Sequence, residues 1–511
     1  MKRKLLLLAF TGFLLTGCTL KLPIPFISKS SSESSSSNTS SSNGNSSSSH
    51  GGSSSSSSHS SSSSSSSSGS GGDVTPSGDT NDIQNMNILH AWNWKLNDIK
   101  SRLSAIKNAG YGAVQISPMQ PKVDKTGWSD QSTSSQWWKF YQPLAFKVAE
   151  SGESFLGTKS DLTTLCSEAK KQNIKIVVDI VSNHLAGSGN SYSSQVYKQY
   201  PLHNYSSGAD DNNGESVVKG NIGMPDLDTS NSSVQQDVLS MMKSYIDCGV
   251  SGFRFDAAKH IETPDDGSYA SNYWPTVLNG TTEYAQSKNL DKPYYYGEIL
   301  NTCGQGRSFA SYTKMMSICD NKQGTSVINA VNNKSVSSLS ATYNTGVEAS
   351  KLVLWAESHD TYANDSGYDI TRNFSTEVVN KAYMIQASRK NAATLYLARP
   401  SNMGVTICSI DDNSGWKNNE IKAINEFHKR YINKDESINN NNNCFVNVRG
   451  SGSEAGAAII NINAGSTQSV DVKGLSNGSY VDLISNQTFN VSNQRVTVSF
   501  TSGACILVPK S

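Results

Sequence analysis

Apolar residues cluster in short unbroken runs along the middle of the chain. The runs are Met86–Trp92, Tyr111–Ser117, Ile174–Val181, Gly252–Asp256, Tyr294–Leu300, Leu352–Trp355 and Thr394–Ala398. Continuous apolar character, without alternation, suits strands buried on both faces of a parallel sheet. Between them lie stretches with helical spacing, such as Leu96–Asn108, Lys159–Gln172 and Ser233–Cys248. Strand and helix alternating in this way predict an α/β fold, a (β/α)8 TIM barrel. The eighth strand needed, sixth in order, is placed near Ser326–Asn332. No Gly-rich dinucleotide fingerprint follows the first strand, which removes the usual reason to prefer an open doubly wound sheet.

Two departures from this rhythm matter. Leu185 to Thr229 is rich in Asn, Ser, Gly and Tyr and lacks strong periodicity, so it reads as a small functional domain inserted after strand 3 (about 185–229). After Asp435 short alternating segments appear, Ala457–Ile462, Gln468–Val472, Tyr480–Ile484 and Arg495–Phe500, separated by Gly, Asn and Ser. They predict a C-terminal all-β sandwich over 435–511, behind a barrel spanning 83–434.

The N-terminus reads as an address. Lys2, Arg3 and Lys4 precede an apolar stretch, Leu5 to Leu15, too short to span a bilayer. Leu15-Thr16-Gly17-Cys18 has the form of a lipobox. Residues 1–17 are then a signal peptide, and Cys18 carries lipid that anchors the chain on the outer face of a bacterial membrane. From Lys29 to Gly72 the chain is mostly Ser, and 18–82 as a whole reads as a disordered linker.

Composition narrows the class further. The 511 residues carry 43 Lys+Arg and 42 Asp+Glu, and that balance speaks against nucleic acid as a partner. Eight Cys in such a length exclude a disulfide-stapled miniprotein. Cys303 and Cys319 are near enough in sequence to bridge, and buried thiols are the equal alternative.

Catalytic groups of a (β/α)8 barrel sit at the C-terminal ends of strands. Here the third run ends Asp179-Ile-Val-Ser-Asn183-His184, and the fourth reads Gly252-Phe-Arg254-Phe-Asp256-Ala-Ala-Lys259-His260. The fifth ends Gly297-Glu298, and the seventh ends Glu357-Ser358-His359-Asp360. One such ending is often structural; four in barrel order point to a site.

These segments, in this order, resemble the signatures of the α-amylase family of glycoside hydrolases. Met224-Pro225-Asp226-Leu227-Asp228-Thr229 is similar to a further family signature, and Gln115-Ile-Ser-Pro118, Trp137-Trp138-Lys-Phe-Tyr141-Gln142-Pro143 and Gly478-Ser-Tyr480 look like the animal-type members. The resemblance covers about residues 85–511. It implies Asp256 as nucleophile, Glu298 as general acid and then base, and Asp360 as stabiliser of the transition state. Arg254, two positions before Asp256 on the same strand face, would keep Asp256 ionised, while a raised pKa would keep Glu298 protonated. His184 and His359 would hydrogen-bond the sugar, with Asp179 beside them and Lys259 on the product side. Trp137, Trp138 and Tyr141 offer flat faces for glucose rings, with Gln142 as a polar contact; core packing is the equal alternative for Trp137.

The resemblance also implies a structural Ca²⁺ held by Asn183, Asp226 and the backbone carbonyl of His260, with a further carboxylate expected in Leu202–Gly220. Chloride activation, known in the animal-type members, is doubtful: Ser358 stands where they have Asn, and Pro400–Ser409 has no Arg or Lys. The expected activity is endo-hydrolysis of α-1,4 bonds in starch-like glucans, with retention of configuration, by a monomer. Alternatives are an α-glucanotransferase, a relative acting on maltooligosaccharides, and a non-catalytic starch-binding lipoprotein.

Overall fold

The computed structural model describes residues 82–122, 134–186, 199–300, 307–339, 343, 345–363, 370–401, 410–441 and 443–510. The signal segment, Cys18, the Ser-rich tract and Cys303 lie outside these residues.

Eight parallel strands close into a barrel in chain order. They are β1 Asn87–Ala91, β2 Ala113–Ile116, β3 Lys175–Ile180, β4 Gly252–Phe255, β5 Tyr294–Gly297, β6 Ser317–Cys319, β7 Leu352–Trp355 and β8 Ala393–Leu397. Pairing of Leu89 with Tyr396 closes the ring. The strands are buried almost throughout, as unbroken apolar runs require.

Helices cover the barrel with one apolar stripe each. Leu96–Asn108 buries Leu96, Ile99, Leu103 and Ile106, one face of a 3.6-residue repeat. Lys159–Lys171 starts at a capping box in which Thr158 and Asp161 satisfy each other's backbone N–H groups. Among the described residues no helix is long and apolar enough to cross a membrane.

The sixth strand is where the sequence reading went wrong. Asn321–Asn332 is a helix, capped by Asp320, whose carboxylate accepts from Gln323 N–H. Val327, Ile328 and Val331 are buried at helical spacing. The real β6 is Ser-Ile-Cys, three residues with too little apolar length to stand out from sequence.

Beyond the barrel, eight strands form antiparallel sheets: β9 Glu436–Ile438, β10 Cys444–Arg449, β11 Gly456–Asn461, β12 Thr467–Asp471, β13 Gly478–Asp482, β14 Thr488–Val491, β15 Arg495–Ser499 and β16 Ala504–Pro509. Six of them run in the order β14-β13-β16-β11-β10-β9, and β12 pairs with β15. Val446, Val448, Ile459, Val470, Val496, Val498 and Leu507 share one core between the sheets. The described residues belong to one compact unit, so barrel and sheets meet directly. Buried Arg449 crosses the seam, donating to the carbonyls of Ser388 (2.7 Å), Ile432 and Lys434 (both 2.9 Å). Arg389, fully buried, grips Glu436 at 3.1 Å.

Candidate active site

The mouth of the barrel gathers carboxylates around one guanidinium. Asp179 on β3 lies opposite Arg254 on β4 in the strand register. Arg254 Nη1 donates to Asp179 Oδ1 (2.7 Å) and Oδ2 (2.8 Å) and to Asp256 Oδ1 (2.9 Å), while Nη2 lies 3.0 Å from Glu298 Oε2. Asp360 hydrogen-bonds Glu298, and His359 Nε2 lies 3.4 Å from Asp360 Oδ2. Asp256, Glu298 and Asp360, distant along the chain, therefore share one pocket.

Local backbone makes this possible. Ala257 adopts φ 49°, a left-handed conformation costly for a residue with a Cβ. Its N–H donates to Glu298 Oε2 at 2.9 Å. Gly297, just before Glu298, has no room for a side chain: a Cβ there would stand 3.0 Å from Ala258 Cβ and 2.9 Å from Met316 Sδ.

Four buried carboxylates and one cation cannot all be charged. Burial pushes Asp256 and Asp360 well above the ordinary carboxylate range despite Arg254, and raises Asp179 as well. Burial also opposes ionisation of Glu298, but Arg254 and the Ala257 N–H outweigh it and hold its carboxyl low. The expectation of a raised Glu298 and an ionised Asp256 is thus reversed: Glu298 is held low and Asp256 is pushed up. The cause is placement: both carboxyl groups bond the Arg254 guanidinium, but Glu298 also accepts from the Ala257 N–H, whereas Asp256 is raised further by Glu298 and Asp179.

Several of the predicted sugar-contacting groups, Tyr141, His184 and His359 among them, lie beside this cluster. Tyr141 stacks on His359 with ring centres 5.0 Å apart and planes 3° apart. Half-buried Trp137 meets the same imidazole edge-on at 5.8 Å and also packs on the barrel core. Trp138 is 37% exposed, with the Lys139 ammonium 5.9 Å from its ring. Gln142 closes this segment, half buried. His184 Nε2 is engaged by the Tyr141 carbonyl at 3.0 Å, while its Nδ1 has no partner. Burial lowers His184 to about 4 and His359 still further, so both rings are neutral. Lys259 is tied to Asp211 at 2.8 Å.

Two of the residues expected at the cation site, Asn183 and Asp226, lie together. Asn183 Nδ2 donates to Asp226 Oδ1 at 3.2 Å. Asn183 Oδ1 is buried without a partner, an acceptor aimed at nothing in the chain. No carboxylate of Leu202–Gly220 joins them; that stretch contributes His203, whose Nδ1 lies 2.6 Å from Asp226 Oδ2 and Nε2 2.8 Å from Glu262 Oε1. Burial opposes charge on His203, yet Asp226 and Glu262 raise it to about 10. His203, Asp228 and Glu262 bring their ligand atoms within 4.8 Å of one another, but His203 as a cation donates from both nitrogens and would have to lose a proton before it could bind a metal. The orphaned amide oxygen beside Asp226 fits a hard cation such as Ca²⁺. The His260 ring is engaged by the Val217 carbonyl at 2.7 Å.

Sequence reasoning missed His203, Glu262 and His90. Glu262 lies only two positions past the His260 signature, and His90 begins the His-Ala-Trp-Asn-Trp run that ends β1. His90 is buried under the pocket, edge-on to His359 at 5.5 Å, with neither ring nitrogen partnered. Cys319 is a free, buried thiol.

A closed parallel barrel with acidic groups converging at the C-terminal ends of its strands is the architecture of a (β/α)8-barrel glycoside hydrolase. The family profile described as "Alpha amylase, catalytic domain" matches residues 217–437. The chain is 35% identical over 388 residues to an α-amylase of Clostridium acetobutylicum, covering 73% of this chain and 47% of that protein. It is 28% identical over 449 residues to an α-amylase of Butyrivibrio fibrisolvens, covering 80% and 45%. The chain thus spans about half the length of these curated relatives. Among solved structures, a variant of α-amylase I from Eisenia fetida in complex with maltohexaose superposes with a TM-score of 0.66 at 20% identity, covering 83% of this chain and 97% of that one. An α-amylase from Geobacillus thermoleovorans complexed with acarbose gives 0.62 at 16% identity, covering 84% and 99%. The chain belongs to the α-amylase family.

Proposed function

We propose that this protein is an α-amylase that cleaves internal α-1,4 bonds of starch-like glucans with retention of configuration. The observation that carries the reading is the shared guanidinium: Asp256 and Glu298 both bond Arg254, at 2.9 and 3.0 Å. That brings two carboxyl groups within reach of one glycosidic bond, as double displacement requires. Asp256 attacks the anomeric carbon while Glu298 gives its proton to the leaving oxygen. A glycosyl ester on Asp256 forms, and Glu298 then takes a proton from the water that hydrolyses it.

This sequence needs the proton on Glu298 at the moment of attack. The hydrogen bond between Asp360 and Glu298 supplies a route. Transfer along it leaves Asp360 charged, facing the oxocarbenium-like transition state, and Glu298 protonated. Sugar hydroxyls donating to Asp256 and Asp360 favour that distribution by stabilising both as anions. Tyr141 and Trp138 offer ring faces to glucose units; neutral His184, whose Nε2–H is committed to the Tyr141 carbonyl, offers Nδ1 as an acceptor, and neutral His359 can donate an N–H.

Ca²⁺ would be held by Asn183, Asp226 and the His260 carbonyl, and its contribution would be to tie the end of β3 to the loop after β4. Cleavage of residues 1–17 and lipidation of Cys18 would anchor the enzyme outside the cell, with 18–82 as its tether; the lipobox and the Ser-rich composition support this.

The test is digestion of amylose with products followed by ¹H NMR. The parent chain should release oligosaccharides first seen as α-anomers, and Asp256→Asn should release none while remaining folded. Sugar release by Asp256→Asn, or β-anomers from the parent, would refute the mechanism. Palmitate labelling that survives Cys18→Ser would refute the anchor.

A further inference from the structure

Arg254 serves the strands of one side of the pocket. Among the described residues no hydrogen bond or ion pair joins it to Asp360, whose aim must come from the turn that follows β7. That turn is gripped by a second buried arginine. Arg399, just past β8, holds Glu357 with Nε at 2.7 Å from Oε1 and Nη2 at 2.6 Å from Oε2. Glu357 is fully buried and stands three positions before Asp360. The same guanidinium donates to the carbonyls of Phe374 (2.9 Å) and Thr371 (3.0 Å) and lies 5.0 Å from the centre of the Tyr362 ring.

The turn is braced from within as well. Ser358 N–H donates to Thr361 Oγ1 at 3.1 Å and Thr361 N–H to Ser358 Oγ at 3.2 Å. Thr371 N–H donates to the Thr361 carbonyl at 2.8 Å. Residues 357–362, the 371–374 segment and the end of β8 are thereby locked together by one planar cation. A bidentate guanidinium–carboxylate pair fixes distance and orientation, which a lysine cannot do.

We infer that Arg399 is a positioning residue, acting through Glu357 and the 371–374 segment to set where His359 and Asp360 stand against the sugar. The pocket then has two independent cation anchors: Arg254 for Asp179, Asp256 and Glu298, and Arg399 for the β7 side. This rests on the reading of Asp360 as the group facing the transition state. A misplacement of about 1 Å can cost on the order of a hundredfold in rate.

The test uses the full chain with soluble starch and with an aryl maltotrioside whose phenolate leaves readily. Arg399→Met should lower kcat about ten- to a hundredfold on both substrates, with KM within about threefold and the pH profile unmoved. Arg399→Lys, which keeps the charge but not the fork, should rescue little of it. In an Asp360→Asn background the same Arg399→Met change should cost less than about threefold on the aryl substrate, because the group it positions is already disabled. Two results overturn the inference: kcat near the parent value with only the melting temperature lowered, or an undiminished loss in the Asp360→Asn background. Asp360→Asn retaining most activity would instead show that the underlying reading of Asp360 is wrong, and the inference falls with it.

Discussion

The barrel mouth and the seam between barrel and C-terminal sheets both bury arginine, with opposite outcomes. At the seam Arg449 meets backbone carbonyls, and Arg389 is matched to Glu436. Each charge there has fixed partners, and Glu436 is held below its ordinary value mainly by Arg389, against its burial. At the mouth Arg254 faces three carboxylates directly and a fourth nearby, and burial pushes most of them up. The seam keeps its charges fixed even though burial lowers Arg449 to about 10; the mouth holds protons that can be moved. A buried charge that is fully matched contributes fixed geometry, whereas one that is outnumbered leaves neighbours whose protonation a ligand can redistribute.

The sharpest way to break this contrast is to remove Arg254. Arg254→Met should lower kcat/KM by about a thousandfold or more, on the scale of losing preorganised charge stabilisation. Arg254 favours the ionised form of Asp256, so its removal raises that carboxyl further. The acid limb of the rate profile should move to higher pH, which kcat/KM measured across pH will show.

At the seam the expected effect is on stability alone. Arg449→Met leaves several buried carbonyls without a donor and should cost about 2–4 kcal/mol in urea unfolding. Its kcat/KM at 25 °C should match the parent; a large loss would erase the distinction between the two regions.

The Asn183–Asp226 cluster lies between these extremes. If it holds Ca²⁺, chelation should lower the melting temperature by about 3 °C, as expected for a ligand near a hundred times its Kd in a folded unit of this size. Asn183→Ala should make the melting temperature insensitive to chelator, read by scanning calorimetry.

The smallest expected effect concerns Lys122, buried beside the aromatic segment and donating to the carbonyls of Pro118 (2.7 Å) and Phe140 (2.8 Å). Burial lowers its pKa to about 7. The unfolded chain, with an ordinary lysine, binds more protons between about pH 7 and 10, so this group makes stability rise with pH across that window. Lys122→Met should flatten the rise, as measured by urea unfolding at several pH values.

Much of this was legible from residue order. Seven barrel strands lie where unbroken apolar runs predict them, and Asp256, Glu298 and Asp360 meet as their strand-end positions imply. The helix at Asn321–Asn332 was misread because a buried helix face and a short buried strand look alike over a few residues. His203 and Arg399 were passed over because their partners, Asp226 with Glu262 and Glu357, are remote in the chain.

What residue order determined by itself was local and periodic: which segments bury both faces, where helices begin, and which side chains end each strand. Only the closed barrel decided how charge is shared. That Arg254 bonds Asp256 and Glu298 together, that Glu298 is held low while Asp256 is pushed up, and that Arg399 anchors the turn bearing Asp360 all depend on distances between strands. Coulomb and desolvation energies follow separation and burial in space, and neither can be counted along a chain.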